Sequence, residues 1–105
     1  MIARIWRGWT MPANAAAYEA LLRKEIFPGI MARTIAGFVS IELLRLDRRD
    51  EIEFATIMHF DSLAAIMVFA GADYAYAVVL PQARALLSRF DAQSSHYDIV
   101  ESRRS

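Results

Sequence analysis

From Ile2 to Trp9 the chain reads I-A-R-I-W-R-G-W, and both parities are partly apolar, Ile2 and Trp6 on one and Ala3, Ile5 and Trp9 on the other. This period of two predicts a strand. Pro12 suits a first helical turn, where its missing N–H costs nothing. Beyond it Tyr18, Leu21, Leu22 and Ile26 fall on one stripe while Glu19, Arg23 and Lys24 point elsewhere, the pattern of an amphipathic helix. Pro28 and Gly29 are expected to end that helix. Gly37 opens a second strand, Phe38 to Leu46, and the charged run Asp47 to Asp50 turns the chain straight back into a third, which predicts an antiparallel hairpin.

The stretch Glu51 to Gly71 is one strand feeding one helix, with Asp61 and Ser62 as the helix-start pair. Leu63 to Leu80 is apolar apart from Asp73. It reads as two helical pieces broken at Gly71 rather than a membrane span, since Asp at the centre of a span costs about 2.5–3.5 kcal/mol. Pro81 stops the second piece and opens P-Q-A-R-A-L-L-S-R-F, and S-H-Y-D-I-V-E closes the chain as a last strand. The order βαββαβ predicts an α+β, ferredoxin-like fold with a four-stranded antiparallel sheet. Residues 1–101 are expected to form one domain and 102–105 a disordered tail. Strand three is apolar on both parities, Phe54, Met58 and Phe60 on one and Ala55 and Ile57 on the other. Helices on one face leave the other to be covered, which predicts a homodimer joined through the sheets.

Composition narrows the classes. A chain of 105 residues buries roughly 60–70% of its unfolded surface, enough for a single core. Twelve basic and twelve acidic residues balance, so no basic field draws nucleic acid or anionic lipid, and neither nucleic acid nor membrane is expected as a partner. There is no cysteine, hence no disulfide framework, thiolate metal site or thiol nucleophile. Arg4 and Arg7 lie inside the first apolar run rather than before it, unlike a secretory signal, and the cytoplasm is the default location. Walker, G-x-G-x-x-G and G-x-S-x-G patterns are absent, and strand three lacks the aromatic signature of RNA-binding domains of this plan.

The start I-A-R-I-W, the helix with Tyr18 and Leu22, the P-G-I and A-G-F turns, the strand and helix start H-F-D-S-L-A-A-I-M-V-F-A-G and the ending H-Y-D-I-V together resemble the antibiotic-biosynthesis-monooxygenase-like family over nearly the whole chain. The resemblance implies ferredoxin-like subunits paired sheet to sheet into a dimeric α/β barrel. Members that oxidise aromatic polyketides without metal or flavin use a pocket between helices and sheet, with an Asn and a Trp whose positions here hold Thr56 and Phe60. Members that cleave haem use an Asn, a Trp and a His whose positions hold Trp6, Phe69 and Val79, so haem degradation is not expected. No cofactor is expected either.

Within this frame Thr56 is the candidate hydrogen-bonding group toward substrate, with Trp6 and Tyr76 as supporting donors and Phe60 as ring platform. Met58, Met67, Phe69 and Tyr74 are candidates to line the pocket, or to be plain core, since aromatic and sulfur side chains serve both. His59 and His96 read first as hydrogen-bonded structural histidines and second as proton-transfer groups. A metal shared by them is not expected, because their strands stand roughly 9–10 Å apart across strand one. Arg4 and Arg7 sit in a central strand, where a salt bridge to Asp98 or Glu101 is the favoured outcome and an anionic substrate group the other. Two functions follow: a small cofactor-independent oxygenase-like enzyme acting on an aromatic molecule, or a non-catalytic dimeric module binding a small apolar ligand.

Overall fold

The structure, a computed structural model, describes residues 1–105. Three long strands carry it: β1 (Ile2–Thr10), β2 (Phe38–Asp47) and β3 (Ile52–Phe60). β2 and β3 form the expected hairpin, and β1 pairs antiparallel with β3 from Ile2 opposite Phe60 to Thr10 opposite Ile52. On the far side of β1 lie two short strands, β4 (Arg89–Phe90) against Gly8 and Trp9, and β5 (Ser95–Asp98) against Ile2 to Ile5. The sheet order is β2-β3-β1-β4, with β5 continuing along the same edge of β1. This is the ferredoxin-like plan with five strands instead of four. The last strand is split because residues 92–94 leave β1 to pair with an irregular segment: Ala77 N–H donates to the Ala92 carbonyl at 3.0 Å and Ser94 N–H to the Ala75 carbonyl at 2.7 Å.

The first helix does not end at Pro28. α1 (Pro12–Leu21) runs through a π-helical turn (Leu22–Ile26) into α2 (Phe27–Ala32). In an α-helix the ring of Pro28 would press on the carbonyl four residues back. The wider turn ahead of it, closed by Phe27 N–H on the Leu22 carbonyl, relieves that contact and lets the helix continue. α3 (Leu63–Ala70) starts where expected, with the Ser62 hydroxyl accepting from Ala65 N–H at 3.2 Å. Gly71, at φ +89°, ends it. The second helical piece expected from Asp73 does not form. Residues 72–80 are turns, a bridge at Tyr76 and extended chain, and the next helix is the single turn α4 (Pro81–Arg84). Apolar spacing suggested a helix there, but the backbone groups of 75–77 are taken by residues 92–94 instead. No helix is long and apolar enough to cross a membrane.

Gly37 ties the hairpin to α3. Its φ of +87° lies in the left-handed region, where a side chain is strained, and a Cβ there would approach the Ala65 Cβ to 2.8 Å. Its carbonyl accepts from Asp61 N–H at 2.8 Å.

The helices cover the sheet face that carries Arg4, Trp6 and Gly8 of β1 and Phe54, Thr56, Met58 and Phe60 of β3. The opposite face, with Ala3, Ile5, Ala55, Ile57 and His59, has no helix over it. Leu44, Leu46 and Tyr97, paired in register with that face, are 44%, 47% and 56% exposed.

Candidate functional site

The core under the helices is in two parts. Tyr18, Leu22, Ile52, Phe54 and Ala83 pack at one end, and Met58, Phe60, Ala65 and Ile66 at the other. Between them lies a cavity of about 80 Å³. Sixteen residues line it, thirteen of them apolar, with Arg4, Thr56 and Ser94 as the others. The π-helical turn matters here, because Leu22, Ile26, Phe27 and Ile30, which it and its flanks present, form one wall. Extended residues Val78, Val79 and Leu80 form the wall toward solvent. Outside it a surface depression of about 290 Å³ shares Ile26, Ile30, Phe69, Val78 and Leu80 with the cavity and is rimmed by Glu25 and Arg33.

Four of the residues singled out in sequence come together in this wall: Trp6, Thr56, Met58 and Phe69. Thr56 and Trp6 are register partners on adjacent strands, and the Thr56 hydroxyl has no protein hydrogen-bond partner. Trp6 is less free than expected, since its indole N–H donates to the Asp91 carbonyl at 2.7 Å. It shapes the cavity and offers no donor to a ligand.

The other expected residues fall elsewhere. Phe60 is fully buried between Phe38 and Phe69, with ring centroids 5.5 and 5.9 Å apart, and is core rather than platform. Met67 is 42% exposed on the outer side of α3 and Tyr76 is 59% exposed, because the segment after Gly71 is not the helix that would have turned it inward. Tyr74 is half-buried behind Arg4, its ring edge-on to His96 at 5.3 Å. His59 is on the open sheet face, with Nδ1 3.1 Å from the Ser40 hydroxyl. Both histidines are therefore hydrogen-bonded, and neither reaches the cavity.

Most of the apolar wall was not singled out in sequence, and neither were two lining residues that carry a hydroxyl, Tyr18 and Ser94. Tyr18 is 1% exposed, lines the cavity and packs its ring 5.0 Å from Phe54; burial pushes its phenol well above the usual range. Ser94 owes its place to the break between β4 and β5. Arg4 was expected to bridge to Asp98 or Glu101 and does not. It is 4% exposed, and its Nη1 donates to the Tyr74 carbonyl at 2.6 Å and to His96 Nε2 at 2.8 Å, its Nη2 to the Tyr76 carbonyl at 3.3 Å. Arg7, on the other face, pairs with Asp91 at 3.0 Å.

No protein-family model and no curated protein matches the sequence. Solved structures do match in shape. A candidate antibiotic biosynthesis monooxygenase from Bacillus cereus superposes with a TM-score of 0.72 at 14% identity, over 100% of this chain and 96% of its own. A second antibiotic biosynthesis monooxygenase gives 0.67 at 18% identity, over 96% and 100%. The haem-degrader MhuD of Mycobacterium tuberculosis, solved with two haems in its active site, gives 0.60 at 19% identity, over 98% and 99%. The chain has the fold of the antibiotic biosynthesis monooxygenases. Coverage of both partners is nearly complete, so the likeness extends across the whole chain rather than a motif.

The cavity wall offers a haem iron neither imidazole nor thiolate. It contains no histidine, cysteine or carboxylate, and the nearest imidazole, that of His96, spends its Nε2 on Arg4. Elsewhere no three side chains of the metal-ligating types converge.

Because a guanidinium only donates, His96 must accept at Nε2 and carry its proton on Nδ1. Burial, and then the Arg4 charge, hold its pKa below the ordinary imidazole value. The unfolded chain therefore binds the proton more readily, and stability rises with pH through this range. Acidification from the unfolded imidazole pKa of about 6.5 down through the folded value should lower the melting temperature. His96→Gln should flatten that part of the profile, while an unchanged profile would remove His96 as its source.

Proposed function

We propose that the protein is a small cofactor-independent oxygenase of this monooxygenase fold, acting on an aromatic molecule held between helices and sheet. The observation that supports it is the largely apolar cavity that divides the core, with one uncommitted strand hydroxyl, Thr56, in its wall. The π-helical turn and its flanks wall it on one side and the irregular segment 78–80 on the other. The cavity of about 80 Å³ is roughly half the ~150 Å³ in which an engineered apolar cavity holds benzene. A single ring enters only as residues 78–80 swing toward the outer depression, and a polycyclic molecule must occupy both spaces.

In the proposed reaction a ring carbon bearing two hydrogens becomes a carbonyl. One oxygen atom of O₂ enters the product and the other leaves as water with the two hydrogens. The protein's part is to favour loss of the first proton, so that an electron-rich anion meets oxygen, and to keep water from the intermediate. With Trp6 committed to Asp91 and Tyr76 at the surface, Thr56 is the strand hydroxyl placed to steady a developing oxyanion, and one such donor is worth about 10²–10³ in rate. Oxygen uptake with anthrone-like substrates, whose ring CH₂ is the carbon to be oxidised, tests the reading. Thr56→Val, which removes the hydroxyl and keeps the volume, should lower the rate about 10²-fold. A rate left unchanged rejects the role of Thr56.

The second reading is a ligand-binding module without catalysis. It is favoured by the absence of a carboxylate or imidazole from the cavity wall, and it gains if wild type consumes no oxygen across the panel. In both readings the working unit is residues 1–101 as one domain, paired through the uncovered sheet face into a homodimer.

A further inference from the structure

Every ionic contact of the chain pairs an arginine with a carboxylate, and Arg4, the most buried of the charged side chains, is in none of them. It faces two carbonyls and an imidazole, all uncharged acceptors. Of its five N–H donors, both on Nη1 and one on Nη2 are used. The Nε–H and the second Nη2 donor have no protein partner, although the side chain lines the cavity. A buried cation without a counter-charge opposes folding unless something supplies that charge. The rest of the cavity wall is apolar apart from Thr56 and Ser94, so it supplies none. The Phe69 ring, 5.6 Å from the Arg4 guanidinium carbon, forms the adjoining wall.

We infer that the ligand of this cavity is an aromatic molecule carrying an oxyanion, a carboxylate or phenolate, whose charge pairs with the two unused donors of Arg4 while its ring lies along Phe69. The inference rests on the small-ligand reading above and specifies its substrate class. The same contact draws the carbonyls of Tyr74 and Tyr76 toward the ligand through one guanidinium, so the anion also fixes the segment leading to the 78–80 wall. Arg4 then does for a bound oxyanion what a carboxylate does for the other arginines: it completes a charge-assisted hydrogen-bond set in a site shielded from water.

Benzoate and its neutral isostere benzamide separate charge from shape. Calorimetric titration of wild type should show benzoate binding at least about tenfold more tightly, the difference a charge-assisted hydrogen bond of ~1.5–3 kcal/mol gives. Arg4→Met should bind both alike. In a second arm, 4-nitrophenol reports a phenolate source, since it should turn yellow on binding at a pH where the free compound is mostly protonated; a benzoate preference without this colour assigns the site to carboxylates. Equal wild-type affinity for benzoate and benzamide overturns the inference and leaves the small-ligand reading standing. Binding of neither, even as larger aromatic acids and amides, overturns both. A benzoate preference that survives in Arg4→Met places the anion elsewhere and overturns the role of Arg4. Should Arg4→Met not fold, the guanidinium ¹⁵N resonances of wild type decide: they shift with benzoate and not benzamide if the inference holds, and their indifference to both rejects it.

Discussion

Phe60→Ala should cost the fold about 3–5 kcal/mol, the range for emptying a fully buried aromatic site, which is a third or more of the stability of most domains of this size. The residue is 0% exposed and its ring sits between those of Phe38 on β2 and Phe69 on α3. The three rings join hairpin and helix at the same point where Gly37 and Asp61 are bonded through their backbones. Removing the middle ring leaves a hole that Ala65 and Ile66, already buried against it, do not fill. Differential scanning calorimetry should show the melting temperature falling by more than about 10 °C. The resemblance placed Phe60 as a platform for substrate. In that role its loss would weaken ligand binding and barely move the melting temperature, so a stable variant with impaired binding would reverse the assignment to core.

The outline of the fold was legible because its longest elements obey simple periods. Both parities of β3 were readable, and the alternation that set Phe54, Met58 and Phe60 apart from Ala55 and Ile57 also sorted Thr56 into the helix-covered face. Where the reading failed, a local signal had more than one outcome. Pro28-Gly29 is a stop for an α-helix, but a π-helical turn one residue ahead absorbs the proline. Leu63 to Leu80 is apolar apart from Asp73, and apolarity does not separate a helix from an irregular segment whose partner is residues 92–94, distant in sequence. The split of the final strand comes from that same pairing.

The site was half legible for the same reason. A stripe such as Tyr18, Leu22 and Ile26 reads alike whether it fills a core or walls a cavity, and only the gap between the two core clusters decides. Arg4 shows the limit most clearly. Its position in a central strand announced that a charge had to be compensated, but the carboxylates near it in the sheet turned out to lie on the surface, and its partners come from the irregular turn at 74–76.

Ile57→Asp should convert the protein from a dimer to a folded monomer. Within one protomer Ile57 is only half-buried, on the sheet face that no helix covers, between Ile5 of β1 and Glu42 of β2. A carboxylate at that position in an isolated chain reaches water, and its costs there, Asp's weak strand preference and the Glu42 charge opposite, are on the order of 1 kcal/mol. Packed sheet to sheet against a second copy, amid Ala3, Ile5 and Ala55 and the exposed Leu44 and Tyr97, the same carboxylate would be stripped of water, at a cost of several kcal/mol per chain. The substitution therefore acts on association and spares the fold, which is what makes it decisive. Sedimentation should give twice the 11.9 kDa chain mass for wild type and the single mass for Ile57→Asp, with the strand and helix content seen by circular dichroism unchanged. A wild type that sediments as a monomer, or an Ile57→Asp variant that stays dimeric, would show that the apolar face has another use. Glu42, already beside Ile57 and exposed, limits how far a dry interface extends toward β2. The contact is expected to centre on Ala3 and Ile5 of β1 and Ala55 and Ile57 of β3.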